Sequence, residues 1–531
     1  MTVPLLMKRR EFLQTTAAAT AGTALLSGLP IGAYGYSPEL VALTNATTQS
    51  DKVLVIIQLQ GGNDGLNMIV PLDQYPALMA ARPNLALPQN AVLPLTTATG
   101  IHPAMAALRN LYQNGQMGVV QSVGYPSPNF SHFRATDIWT SGSDSNVTLT
   151  TGWAGRYLDD EYPGFPTGFP SAQTPDPLAI SIGSVVSNCV QGPTVNMGMA
   201  IASTSSFYQL LSGGVDAAPN TPAGHELTFI RQVVSQTQVH TTAIQAAASR
   251  AQNLSPLYPA AGQNSLADQL KIVAQLVAGG LETRIYVCNL GGFDTHTLQV
   301  PATGSTATGT HATLLGKIAE AVNAFQDDLR RLAVQDRVVG MTFSEFGRRI
   351  RANAGFGTDH GAAAPLLVFG TKVNPLVHGA NPTLPANAGV NDNVPMQYDF
   401  RSVYTSILQD WFQVAPAMLT QLFGRSFPYV PVLRPGALLA TTKAMEVADF
   451  TVYPNPVLRE GTATVAYDSA GGHVQLVLLD TLGREVRRVV DRLLPRGAQQ
   501  LPLDLSGLAA GAYYCQVREA KRSGSRILVI E

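Results

Sequence analysis

The sequence predicts an α/β fold: a mainly parallel sheet with helices on both faces, followed by a small C-terminal β-sandwich. Three observations carry this. Short, nearly continuous apolar runs rich in β-branched residues alternate with stretches of helical period, as in a parallel sheet buried on both faces. Most of these runs end in a Gly-rich or polar turn. Beyond Thr442 the long helical stretches stop, and short alternating strands take over.

The elements follow in order. Val53-Leu54-Val55-Ile56-Ile57-Gln58-Leu59 is an apolar run closed by glycines, hence a buried strand. Residues 102–115 have helical spacing, with Met105, Leu108 and Leu111 on one face. Residues 118–123 and 179–182 read as buried strands. Residues 227–251 and 266–277 read as helices, 284–290 as a strand, and 311–332 as a long amphipathic helix. Strands at 337–343 and 365–369 and a helix at 402–412 complete the main domain. In the C-terminal module, 474–479 and 513–517 read as strands, and Asp480-Thr481-Leu482-Gly483 as a turn. The expected organisation is a signal peptide over 1–35, a linker over 36–50, the main domain over 51–440, a linker over 441–449 and the sandwich over 450–531.

Composition narrows the function. A chain of 531 residues is long enough for two or three domains. Charged residues make up only 13% and the net charge is -1, so no basic field points to nucleic acid. Three cysteines, Cys189, Cys288 and Cys515, are too few and too odd for a disulfide framework. Cys189 and Cys288 either pair after export or stay as buried thiols. No segment after the N-terminus is long and apolar enough to span a membrane.

The N-terminus reads Lys8-Arg9-Arg10-Glu11-Phe12-Leu13, then a mildly apolar Ala/Thr/Gly-rich run, then small residues to Gly35. This is the three-part pattern of a signal peptide, and its paired arginines resemble the twin-arginine consensus. The resemblance implies passage of a folded chain through the twin-arginine translocase, a route suited to cargo carrying a cofactor.

In an open α/β sheet, ligands bind beyond the carboxyl ends of the strands. Five polar turns are candidates to meet there: 60–67, 125–134, 291–296, 344–349 and 357–361. They offer the carboxylates Asp64, Asp294 and Glu345, the imidazoles His296 and His360, and the hydroxyl of Ser131. That donor set suits Zn, Mn or Mg, and suits Ca less well. Such a metal could polarise a phosphoryl or sulfuryl oxygen and activate water or Ser131. Arg134, three residues on, is a candidate oxyanion clamp. Each residue also has a plainer reading. Asp64 stabilises a turn, Ser131 caps a helix, and Glu345 pairs with Arg348 or Arg349. Arg134 is then a surface charge, and Asp359-His360-Gly361 a solvated turn.

Several motifs carry a family resemblance. They are Gly-Gly-Asn-Asp-Gly-Leu-Asn at 61–67, Ser-His-Phe at 131–133 and Gly-Trp-Ala-Gly-Arg at 152–156. Gly-Gly-Phe-Asp-Thr-His at 291–296, Ser-Glu-Phe-Gly-Arg at 344–348 and Gly-Thr-Asp-His-Gly at 357–361 complete them. From about Asp51 to Phe427 the chain resembles the twin-arginine-exported bacterial proteins of domain of unknown function 1501. These are grouped with the alkaline phosphatase and sulfatase superfamily. The resemblance implies one metal held by Asp294, His296 and His360, and a second near Asp64 and Ser131. An Asp-His pair expected for the second falls at Glu345-Phe346, where Phe cannot ligate. The sulfatase nucleophile signature Cys/Ser-x-Pro-x-Arg is absent. The C-terminal module, with Tyr453-Pro454-Asn455-Pro456, Leu479-Asp480-Thr481-Leu482-Gly483-Arg484 and the terminal strand Ile527-Leu528-Val529-Ile530, resembles the type A sorting domain of the type IX secretion system. That implies the type IX machinery as a partner and a secreted or cell-surface destination. The leading expectation is a metal-dependent hydrolase of phosphate or sulfate esters. The alternatives are a non-catalytic glycan- or envelope-binding protein that keeps the fold, and a purely structural metal.

Overall fold

The computed structural model describes residues 23–26, 29–32, 51–171, 174–203, 240–434, 446–447, 450–459, 461–469, 471–479, 485–519 and 522–531. The expected signal peptide lies outside these except for a two-stranded antiparallel ribbon, Thr23–Leu26 with Leu29–Gly32. The 36–50 linker, most of the 441–449 linker, residues 227–239 of an expected helix and the 480–483 turn also lie outside. The chain divides into two compact units, Asp51–Leu439 and a second made of Met1–Ser50 with Ala440–Glu531.

The main unit is built on a nine-stranded sheet. Its strands are β1 (Val53–Leu59), β2 (Met117–Gly124), β3 (Ala179–Ile182), β4 (Gly198–Ile201), β5 (Ile285–Leu290), β6 (Val338–Phe343), β7 (Ala364–Phe369), β8 (Val377–His378) and β9 (Tyr398–Asp399). The order is β8-β2-β7-β6-β1-β5-β3-β4, with β9 also on β2. All neighbours pair in parallel except β7, which is antiparallel to β6 and β2. This mixed, mainly parallel sheet is the expected class.

Period-2 alternation explains why β1 reads as one apolar run. Val53, Val55, Ile57 and Leu59 enter one core, with α1 (Ala106–Gln113), α4 (Ser265–Ala278) and α5 (Thr310–Arg331). Leu54 and Ile56 enter the other, with α2 (His132–Ser141), α3 (Trp153–Glu161), α6 (Phe400–Phe412) and α7 (Pro416–Phe423). Each fully buried Leu, Ile or Val contributes about 1.5–3 kcal/mol, so two filled faces fix the register of the central strand. The sequence did not assign α3 or α7, and it offered α2 only as a helix that Ser131 would cap. α2 stops at Gly142, whose φ of 73° forms a left-handed C-cap.

In the second unit, β10 (Phe450–Tyr453), β11 (Ala463–Ser469) and β14 (Gly497–Leu503) form one sheet in the order β10-β11-β14. β12 (Gly472–Leu479), β13 (Glu485–Leu494), β15 (Gly511–Glu519) and β16 (Arg522–Ile530) form another with Glu446–Val447. A shared core that includes Val465, Leu476, Leu503, Cys515 and Leu528 joins them. The three cysteines are free and buried. Burial pushes the Cys189 and Cys515 thiols up to about 12 and raises Cys288 as well, so none is a ready thiolate. Among the described residues no helix is long and apolar enough to cross a membrane.

Candidate metal centre

The sheet topology determines which turns meet. β1, β2, β5 and β6 run in parallel, so the turns after them leave from one edge. β7 runs the other way, so the segment before it starts from that same edge. Gly347–Arg348 and His360–Gly361 pair as a two-residue antiparallel ribbon that ties two of these turns together.

Three imidazoles and one carboxylate converge there. Asp294 Oδ1 lies 3.2 Å from both His296 Nε2 and His360 Nε2, and its Oδ2 lies 3.4 Å from His132 Nε2. His296 Nε2 and His360 Nε2 are 2.9 Å apart. Ligand atoms of His132, Asp294 and His360 all lie within 4.8 Å of one another. The opposite nitrogen of each ring faces an oxygen. His360 Nδ1 donates to the Phe130 carbonyl at 2.8 Å, His132 Nδ1 to Glu345 Oε1 at 2.9 Å, and His296 Nδ1 to Asp359 Oδ1 at 3.2 Å. In a neutral imidazole, a proton on Nδ1 leaves the lone pair on Nε2. Three lone pairs and a carboxylate turned toward one point fit a cation. Hydrogen-bonded second nitrogens are the usual support of metal-ligating histidines. The separations from Asp294 fit too, since two ligands of a tetrahedral zinc, each about 2.0–2.2 Å away, sit about 3.3–3.6 Å apart.

Charge is arranged in the same sense. Burial works against ionisation of Asp294, but the hydrogen bond and the charge of Arg348 outweigh it and hold the carboxyl down at about 2. Burial lowers His360, and the nearby Arg348 and His132 add to this against the Phe130 carbonyl and Asp294. The ring is therefore neutral at pH 7.

The surroundings are tightly packed. Phe346 is buried, with its ring 4.4 Å from that of His360 and 4.9 Å from that of His132, so it forms an apolar wall. Gly61 and Gly62 have φ of 121° and 79°, which other residues rarely adopt. A Cβ at Gly61 would lie 2.3 Å from the Asp294 amide nitrogen, and one at Gly62 2.3 Å from the Phe346 ring.

The structure brings Asp294, His296 and His360 together and places Glu345 behind them. Glu345 is 2% exposed, accepts from the Gly61 amide at 2.8 Å and supports His132 instead of joining the convergent group. Asp64 is elsewhere engaged. Both its oxygens are 2.8 Å from Arg82 Nη1, and Oδ2 also accepts from Gln299 at 2.6 Å. Arg134 is turned away as well. It pairs with Asp137 and donates to the carbonyls of Asp144, Ser145 and Val147, which makes it a loop anchor, not an oxyanion clamp. Ser131 is the exposed N-cap residue of α2, but its hydroxyl makes no capping bond. Sequence reasoning missed His132, Asp359 and Arg348. His132 stands in a polar turn after a buried strand, so the strand-end rule that singled out Ser131 applies to it equally.

Residues 240–416 match the family described as protein of unknown function (DUF1501), a narrower span than the expected 51 to 427. Residues 451–531 match the secretion system C-terminal sorting domain. No curated protein matches the chain by sequence. Among solved structures, PorZ, a surface component of the type-IX secretion system of Porphyromonas gingivalis, is 17% identical with a TM-score of 0.13, over 19% of this chain and 13% of that one. The PsFucS1 sulfatase from Pseudoalteromonas sp. is 10% identical with a TM-score of 0.29, over 93% of this chain and 88% of that one. The alkaline phosphatase from the Antarctic bacterium TAB5 is 9% identical with a TM-score of 0.24, over 60% and 92% respectively. The sorting module marks the chain for type IX export to the cell surface or the medium.

Proposed function

We propose that the main unit is an exported, metal-dependent hydrolase of phosphate or sulfate esters, with His132, Asp294, His296 and His360 holding a divalent ion. One observation carries this reading: each of the three imidazoles rests its Nδ1 on an oxygen acceptor and turns its Nε2 toward Asp294. When bound, a divalent ion supplies Lewis acidity toward a phosphoryl or sulfuryl oxygen and toward water. The protein's own part is to hold the tautomers. Glu345, Asp359 and the Phe130 carbonyl fix the three rings, Arg348 keeps Asp294 anionic, and Phe346 excludes water from one side. Ser131, exposed next to His132, is the hydroxyl proposed as nucleophile. The Arg9-Arg10 motif would deliver the folded chain to the twin-arginine translocase before type IX export.

The test is hydrolysis of an aryl phosphate and an aryl sulfate by the full chain, before and after removal of metal by a chelator. The reading expects turnover of at least one ester, lost with the metal and restored by adding it back. It also expects a further loss in Ser131→Ala. A metal-loaded chain that turns over neither ester contradicts it. One observation favours a second reading, binding without turnover: Arg134, the sequence's candidate anion clamp, is committed to its own loop. That reading expects metal uptake with no hydrolysis.

A further inference from the structure

Arg348 is fully buried, and from its own turn its donors reach three others at once. Nε donates to the Gly62 carbonyl at 2.6 Å and Nη1 to the Thr358 carbonyl at 2.7 Å. Nη2 donates to the Gly61 carbonyl, to the Phe293 carbonyl at 3.0 Å and to Asp294 Oδ1 at 2.7 Å. The turns after β1, β5 and β6 and the turn before β7 therefore close around one guanidinium. A planar, fixed fork can do this, whereas a lysine ammonium cannot.

We propose that Arg348 is a built-in cation that limits the centre to a single metal ion, and that it is the positioning residue for Asp294. The inference rests on the metal-binding part of the proposed function and deepens it.

The first argument concerns which carboxylates remain for a second ion. Asp64 has both oxygens on Arg82 and one on Gln299. Glu345 Oε1 is shared between the Gly61 amide and His132, and its Oε2 lies 3.5 Å from Ser344 Oγ. Asp294 shares Oδ1 with Arg348. Asp359 gives Oδ1 to His296 and Asn353, and among the described residues the convergent ligand atoms are those of His132, Asp294 and His360, with His296 beside the last two.

The second argument is charge. Four carboxylates gather here, Asp64, Asp294, Glu345 and Asp359, against three guanidiniums, Arg82, Arg348 and Arg349. That leaves one negative charge. One divalent ion already reverses it, and a second would leave three positive charges side by side around Asp294, whose side chain is 47% exposed, so repulsion between the two ions and Arg348 opposes it.

The experiment is a titration of the chelator-stripped full chain with Zn²⁺ by calorimetry, with the bound ion counted by elemental mass spectrometry. The expected count is one per chain. Arg348→Lys should still bind one ion, about 10–100-fold more weakly, as for other loss of support around a ligand. If Arg348 acts through Asp294, the same substitution made in an Asp294→Asn background should change affinity by less than about twofold, because the coupled residues form one thermodynamic cycle. Two ions bound with similar affinity overturn the inference and leave the proposed function standing. Effects that simply add overturn the positioning role. A folded chain that binds no ion contradicts the proposed function itself. Should Arg348→Lys fail to fold, the wild-type count still decides the single-ion claim.

Discussion

Asp64 is sealed in an ion pair with Arg82, and the two side chains are 1% and 0% exposed. Burial alone would raise its pKa, but Arg82, His311 and Gln299 hold it below the ordinary value. A carboxyl depressed in the folded state contributes stability that is fully present above its unfolded value of about 3.9 and is lost as pH falls through its folded value. Asp64→Asn strands the Arg82 charge in the core and should cost about 3–5 kcal/mol at pH 7. The deficit against wild type should narrow below about pH 4, measured as urea midpoints at several pH values. A constant deficit would mean that the pair does not ionise as described. The sequence could name Asp64 as a polar residue at a strand end. It could not show that Arg82, 18 residues on, would claim it. Asp294 and His296 were legible because two ligand-type residues flanked one threonine at a strand exit. His132 stands in the same polar turn as Ser131 and was within reach of the same rule, but only its partner Glu345, 213 residues away, shows that its ring joins the centre.

At the level of elements, the apolar strands were readable because a strand buried on both faces needs an unbroken run, and β1, β2 and β6 are buried along their whole length. α2 was read only as a helix that Ser131 would cap, because its first turn mixes His132 and Arg134 with Phe133 and only three of its five buried residues, Ala135, Ile138 and Trp139, are apolar. The direction of β7 was also hidden, since an apolar run has no polarity of its own, yet that direction brings His360 to the edge where the other turns end. Turn conformation supplies a test. Gly62→Ala puts a Cβ into the Phe346 ring at a φ of 79°. It should lower stability by about 1–3 kcal/mol and loosen the wall behind His132 and His360. Thermal unfolding reads the first effect, and zinc affinity the second. An unchanged melting temperature would show that the turn can relax.

For the whole molecule, the division of labour follows from the two units. The second unit offers sheets and an apolar core that includes one buried thiol, and its sequence matches a sorting domain. The main unit holds the convergent histidines. A chain lacking 451–531 should remain inside the outer membrane, while the full chain reaches the surface or the medium, as read by cell fractionation. Equal surface delivery of both would contradict the sorting role. The chemistry proposed for the main unit requires that it bind metal through His132, Asp294, His296 and His360. The most direct measurement is the divalent-metal content of the purified full chain beside its His132→Ala and His360→Ala variants, each checked for fold by circular dichroism. The wild type should hold a stoichiometric ion, and both folded variants should lose it. A folded wild type without metal, or variants that retain it in full, would show that these histidines do not form a metal centre.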